Sequence, residues 1–299
     1  MIANLHLVSP DSISHNSSMD EECFLPKSMF CWNTTLFSPP TTLSQIPSTH
    51  PISTIVFLHI QIKVIMQIIK IHNREVPASV LQEYQSIQKL TTQSNFNYEH
   101  FSKLMELHGQ IIYGFDFKLY REDKDVLLQL YAYFTGDVAL CKHYDIDLRK
   151  GLFLSGKTGV GKTCHMKLLR QFLSFAERYK MKTCQALALE YMDTGSNVIL
   201  QYGRNFVEYI DHNTINTSYC FDDLGAEDEV KHYGTQTNVL GQIILMRYEL
   251  FQNRQVLTHF TSNLSAPQIE KCYGERVRSR LRQMCNWIEY KSTSTDKRK

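Results

Sequence analysis

Apolar positions along this chain change their period near residue 150, and the change divides the chain in two. From 77 to 135 they recur at three and four, the spacing of one helix face. Val80, Leu81, Tyr84 and Ile87 predict a first helix. Phe101, Leu104 and Met105 predict a second behind Asn97 as N-cap, and Val126, Leu127, Leu130, Tyr131 and Phe134 predict a third that Gly136 ends. This helical region carries no catalytic constellation, and it serves either to dock a partner or simply to pack. Beyond 150, short apolar runs alternate with helical stretches. Leu152, Phe153 and Leu154 form a strand-type run, and Met166, Leu169, Phe172, Leu173 and Ala176 then mark the face of a helix. Residues 183–187 read as a short strand, 190–213 as mixed structure, and 217–225 as a buried strand with its following turn. Val239, Ile243, Met246 and Leu250 give a further helix, 256–261 another buried strand and 287–290 a last one. Strands alternating with helices in this way mark an α/β domain.

The first 51 residues have no such period. They hold six of the chain's eight prolines, many Ser and Thr, and no glycine. A segment of that kind buries too little surface to offset its ordering entropy, so disorder is expected. Residues 52–71 are apolar but interrupted by His59, Gln61, Lys63, Gln67 and Lys70. A membrane span needs roughly 20 largely uncharged apolar residues, and a signal peptide needs a basic start and a small-residue cleavage site. Neither pattern is met. Alternation over 59–64 suggests a strand instead. Ordinary composition begins at Met66, so 1–65 is expected to be disordered or to be upstream sequence from a mis-assigned start. The expected organisation is then a helical region over 66–120, a nucleotide-binding domain over 121–290 and a basic tail over 291–299.

Composition adds two points. At 299 residues and 43% hydrophobic, the chain can bury one substantial core with an accessory region. The net charge of +2 conceals a bias: from Lys271 onward, nine Lys/Arg face only Glu275, Glu289 and Asp296. The eight cysteines stand singly with no C-x-x-C pair, which points to a reducing cytoplasm without disulfides or zinc.

The strongest chemical signal follows the apolar run at 152–154. Gly156-Lys157-Thr158-Gly159-Val160-Gly161-Lys162-Thr163 is a G-x-x-x-x-G-K-T phosphate loop, set as it must be between a strand and a helix. Its glycines let successive N–H groups turn toward a phosphate, and the new helix points its positive end at the same place. Lys162 would reach the β- and γ-phosphates, and the Thr163 hydroxyl would ligate Mg²⁺. About 60 residues on, the strand ends in Asp222-Asp223, a Walker B pattern. There Asp222 would hold Mg²⁺ and Asp223 would orient or deprotonate an attacking water. Asn263, at the carboxyl end of another strand, either meets the γ-phosphate or that water, or caps the next turn. In 275–282 Arg276 and Arg280 share one helix stripe and Arg278 and Arg282 the opposite one, with Val277 and Leu281 between. These arginines serve phosphate and an anionic surface, or they form a solvated basic helix.

Taken together, the region from about 126 to 290 resembles the DnaC/IstB group of AAA+ ATPases, helicase loaders and transposition helpers. The residues that carry the likeness are Lys150 to Thr163, Phe221-Asp222-Asp223-Leu224-Gly225, Tyr233-Gly234, Arg247-Tyr248, Thr261-Ser262-Asn263-Leu264 and Tyr273 to Leu281. The resemblance implies an AAA+ core with a five-stranded parallel sheet and a truncated lid, preceded by a small helical region. It implies ATP and Mg²⁺, hydrolysis stimulated by single-stranded DNA, and an ATP-dependent homo-oligomer. It also implies a replicative helicase or a transposase as partner. In its terms Asn263 is the sensor-one residue, and Arg280 the finger that completes a neighbouring subunit's site. Residues 190–213 and, beyond Walker B, Lys231 and Tyr233 approach DNA. No [NT]-K-x-D follows the loop, so ATP is expected rather than GTP. A transposition helper, a small-molecule P-loop kinase and a non-catalytic ATP-gated adaptor are the competing readings.

Overall fold

The computed structural model describes residues 76–91, 96–173, 177–205, 207–210, 213–227, 230–232 and 235–298, all within one unit, Thr49–Lys299. The expectations for 1–65, including the strand at 59–64, lie outside those residues.

Five parallel strands form the main sheet: β1 (Gly151–Ser155), β2 (Lys180–Thr183), β5 (Tyr219–Leu224), β8 (Thr258–Ser262) and β9 (Cys285–Glu289). Their order is β2-β5-β8-β1-β9. Every residue of β1 and β8 is buried, as expected of inner strands covered on both faces, whereas β2 at the edge is partly exposed. This order, with the phosphate loop after β1, is a P-loop NTPase fold of the AAA+ type. Two antiparallel ribbons lie outside the sheet: β3 (Val207–Ile210) with β4 (Asn213–Asn216), and β6 (Val230–His232) with β7 (Thr235–Thr237).

Strand alternation sorts the core into two layers. Phe153 points to one face, where Phe221 and Phe260 join it under α6 (Cys184–Thr194), α7 (Ser196–Arg204), α8 (Val239–Arg254) and α10 (Glu275–Met284). Leu152 and Leu154 point to the other, beneath α5 (Lys162–Leu169). The three predicted N-terminal helices are α1 (Ala78–Leu90), α2 (Tyr98–Tyr113) and α3 (Lys124–Thr135); a short α4 (Val138–His143) follows. Asn97 caps α2 by accepting from the His100 N–H, and Gly136 ends α3 at φ 68°. These helices are not a separate body: Phe101 and Met105 of α2 and Val126 and Leu130 of α3 enter the second layer. α9 (Ala266–Tyr273) completes the set.

Two expectations are corrected. The strand predicted at 183–187 ends at Thr183, whose hydroxyl caps α6 by accepting from the Ala186 N–H. Leu187, Ala188 and Tyr191 then bury one face at helical spacing. An edge strand needs no continuous apolar run, which is why Lys180–Thr183 carried no signal. The helix after the phosphate loop is also shorter than predicted. It passes at Arg170 into a 3₁₀ turn that lays Phe172 against Phe101, ring centroids 5.0 Å apart; Ala176 lies outside the described residues. No helix among the described residues is long and apolar enough to cross a membrane.

Candidate nucleotide site

The strand order decides which side chains meet at the carboxyl ends of the sheet. β8 lies between β1 and β5, so its last residues fall between the phosphate loop and the Asp222-Asp223 pair. In the loop Gly159 and Gly161 hold φ of 84° and 101°, left-handed values that cost a residue with a Cβ. Lys162, the first residue of α5, is buried, and its ammonium donates to the Gly156 and Lys157 carbonyls at 2.7 and 2.8 Å. Its third proton goes to Asn263 Oδ1 at 2.7 Å. Burial pulls the Lys162 pKa down to about 8, against the pull of Asp223 and Asp222.

Asp222 is buried, and one of its oxygens accepts from the Thr163 hydroxyl at 2.8 Å and the Thr261 hydroxyl at 2.6 Å. In a regular strand its neighbour would point to the opposite face. Instead the pairing of β5 with β8 slips between Phe221 and Leu224, and Asp223 takes φ 57° while its N–H donates to Thr261 Oγ1 at 2.9 Å. A non-glycine residue there stores roughly 1–3 kcal/mol of strain. The result is that Asp223 lines the same cavity as Lys162 and Thr163. Burial, with Asp222 beside it, raises the Asp223 carboxyl above the ordinary range, Lys162 and Arg298 opposing. The donor set fits a polyphosphate with its divalent cation: an ammonium, a hydroxyl and two carboxylates gathered at the phosphate loop.

The cavity holds about 390 Å³ and extends well past the phosphate loop. Its lining is also aromatic, with Tyr113 at the end of α2 and Phe117 and Tyr120 in the segment that follows. Sequence reasoning missed these three, because nothing local ties them to a loop 40 residues away. Beneath the loop, His165 stays neutral, burial lowering its pKa to about 3, and its Nδ1 meets the Tyr290 hydroxyl at 2.6 Å. The segment after Tyr290 folds back over the loop. Lys157 Nζ donates to the Ser292 carbonyl at 2.5 Å, and the Lys297 N–H to the Gly159 carbonyl at 3.1 Å. Thr158 is exposed and Val160 is fully buried.

The arginine helix is not part of this cavity. Arg280 lies half-buried over the Tyr248 ring, 4.4 Å from its centroid, and donates to the Tyr248 hydroxyl at 3.2 Å. Arg278 pairs with Glu270, while Arg276 and Arg282 are exposed. Arg247 is different again. It is fully buried, donates to Thr258 Oγ1 at 2.9 Å and to carbonyls at 205, 217 and 257, and braces the sheet's opposite end. Lys231 falls in β6; Tyr233 and Gly234 lie outside the described residues.

No family model and no curated protein matches the chain. Solved structures similar to it include the DnaC helicase loader, at 17% identity and a TM-score of 0.41, covering 58% of this chain and 92% of that one. Another is a candidate primosome component from Streptococcus pyogenes serotype M3, at 19% identity and 0.39, covering 60% and 84%. At that identity and overlap neither likeness bears on function. The fold stands on its own strand order and phosphate loop.

Proposed function

We propose that this chain binds ATP with Mg²⁺ and hydrolyses it in assemblies that act on single-stranded DNA in the cytoplasm, in the manner of a helicase loader. The observation that carries the reading is the meeting of Lys162 with Asn263, and of Thr163 with Asp222, where Lys162, Thr163, Asp223 and Asn263 line one cavity.

In this reading Gly156 to Thr163 wrap the phosphates. Lys162 neutralises the β- and γ-oxygens, and Asn263 keeps its ammonium aimed at them. Thr163 and Asp222 would hold Mg²⁺, which supplies charge neutralisation on the phosphate oxygens when bound. Asp223 orients the attacking water and takes its proton as the new P–O bond forms and the bond to the β–γ bridging oxygen breaks. A carboxyl raised by burial is the better base for that step. Tyr113, Phe117 and Tyr120 supply stacking surface for adenine. Arg280 lies outside its own cavity, so it serves the site of a neighbouring copy, where such fingers are worth roughly 10³–10⁵ in rate.

DNA contact is supported only by charge: the basic bias after Lys271, and Lys231 beyond Walker B. Contacts of that kind engage phosphates and stacked bases, and weaken steeply with salt. The test is ATP hydrolysis with and without single-stranded DNA, alongside sizing with an ATP analogue. Hydrolysis unmoved by DNA, from a protein that stays monomeric, overturns the DNA and assembly parts of the reading. Phosphorylation of an added metabolite establishes a kinase instead. A transposase bound in place of a replicative helicase makes this a transposition helper.

A further inference from the structure

Residues 291–298, Lys-Ser-Thr-Ser-Thr-Asp-Lys-Arg, contain no apolar side chain. Such a segment has no hydrophobic reason to dock, and its position must come from directed polar contacts. They are numerous. Thr295 donates to Glu122 Oε1 through both its N–H and its hydroxyl, each at 3.0 Å. Lys297 donates to the Val160 carbonyl at 2.9 Å and pairs with Asp123, a carboxylate only 1% exposed. Its ammonium also lies over the Tyr120 ring, 5.2 Å from the centroid. Asp296 packs where Gly159 has no side chain: a Cβ there would fall 1.9 Å from Asp296 Oδ1. The segment thus touches the phosphate loop at 157, 159 and 160, and the segment before α3 at 122 and 123.

Asp296 fixes the backbone at Arg298. The Arg298 N–H is held by Asp296 Oδ1 at 2.9 Å, and its exposed side chain lines the cavity with Lys162, Thr163 and Asp223. Its charge reaches both Lys162 and Asp223.

We propose that residues 291–298 form a strap that closes the nucleotide site in cis, and that Arg298 is a second phosphate-binding cation in it, reading the γ-phosphate. The proposal rests on the nucleotide reading above and adds a residue to it. A guanidinium fork matches two phosphate oxygens at once, which an ammonium does not. Because Arg298 lines the cavity with Lys162 and Asp223, it discriminates ATP from ADP. Lys297 is the positioning residue, since its ion pair with Asp123 is the buried anchor of the strap.

The test is binding of fluorescent ATP and ADP analogues to the full chain, with hydrogen exchange at the amide of Lys297. In Arg298→Ala, ATP affinity falls about 10-fold, the scale of one charge-assisted hydrogen bond. ADP affinity changes by less than about 2-fold, and Arg298→Lys recovers part of the loss. Lys297→Ala speeds exchange across 292–298, and ATP slows it in the wild type. Arg298→Ala binding ATP as the wild type does overturns the role of Arg298. A Lys297 amide that exchanges like an unstructured peptide overturns the strap. Wild type that binds neither nucleotide overturns the underlying reading of the site, a result distinct from either.

Discussion

Two parts of the cavity's lining are built on opposite plans. Around the phosphate loop the side chains of the sheet sit in or just beyond a strand: Lys162 and Thr163 after β1, Asp222 and Asp223 in β5, Asn263 after β8. Parallel neighbours deliver these residues to one edge, and short hydrogen bonds lock them together. The aromatic part of the lining comes from the end of α2 and the turn after it, about 40 residues before the phosphate loop. Only packing brings them together. The first plan yields fixed geometry for charge chemistry, and the second an aromatic wall for the remainder of a ligand.

The largest break in this comparison is at Lys162. Lys162→Ala removes the only ammonium buried in the loop, and ATP binding is expected to weaken at least about 100-fold, the loss of a charge contact in a desolvated site. Equilibrium binding of an ATP analogue checks it. Affinity within about 3-fold of wild type would refute the assignment of this part.

Asp223→Asn separates chemistry from binding. Hydrolysis is expected to fall by about 10²-fold or more, as for loss of a general base, while ATP binding holds because Lys162, Thr163 and Asp222 remain. Mixing this variant with Arg280→Ala then tests whether the site is completed across copies. Recovery of part of the activity is expected, since some interfaces would pair an intact arginine with an intact Asp223. No recovery at concentrations where wild type assembles counts against a role in trans.

A smaller effect is expected with pH. The Lys162 pKa is depressed to about 8 from its ordinary 10.5, so the folded chain releases this proton before the unfolded chain does. Between those values the unfolded state binds more protons, and this group's share of stability rises with pH. Phosphate binding needs the charged form, so ATP affinity moves the other way and falls as pH rises through about 8. Isothermal titration from pH 7 to 9.5 reads it, and an affinity independent of pH in that window would contradict the buried ammonium.

The aromatic lining is expected to give the least. Phe117→Ala should weaken ATP and ADP alike by about 5-fold, the lower end of the range for stacking a base on an aromatic ring, about 1 kcal/mol. Equal losses for both nucleotides distinguish a base contact from the selective loss expected at Arg298. A change confined to ATP would move Phe117 out of the base site.

The phosphate loop was legible because its chemistry is written in contiguous residues with a required strand–turn–helix context. Asp222 and Asp223 were legible as a pair, but the local slip against β8 that swings Asp223 into the cavity was not, since nothing in Phe-Asp-Asp-Leu marks a left-handed residue. Asn263 carries two readings in the sequence, because nothing local shows that Lys162 donates to it. The edge strand β2 was misread as starting at Thr183, because exposure on one side removes the apolar run by which buried strands are found. For the helical region the sequence left docking and packing open, since nothing local shows that Phe101 and Met105 of α2 lie in the same core as Leu152 and Leu154.

What the sequence determined by itself was the local chemistry: glycines that free the loop backbone, a lysine and threonine at a helix start, carboxylates after an apolar run, and the helical or extended period of each segment. Those follow from sterics and hydrogen bonding within a few residues. What only the tertiary structure decided was which distant segments share a surface: Asn263 against Lys162, Tyr120 beside the phosphate loop, Lys297 on Asp123. A lysine in a Ser/Thr-rich tail has the same local pattern whether it is solvated or paired with a buried carboxylate. Only the order of strands and the packing of helices against them distinguishes the two.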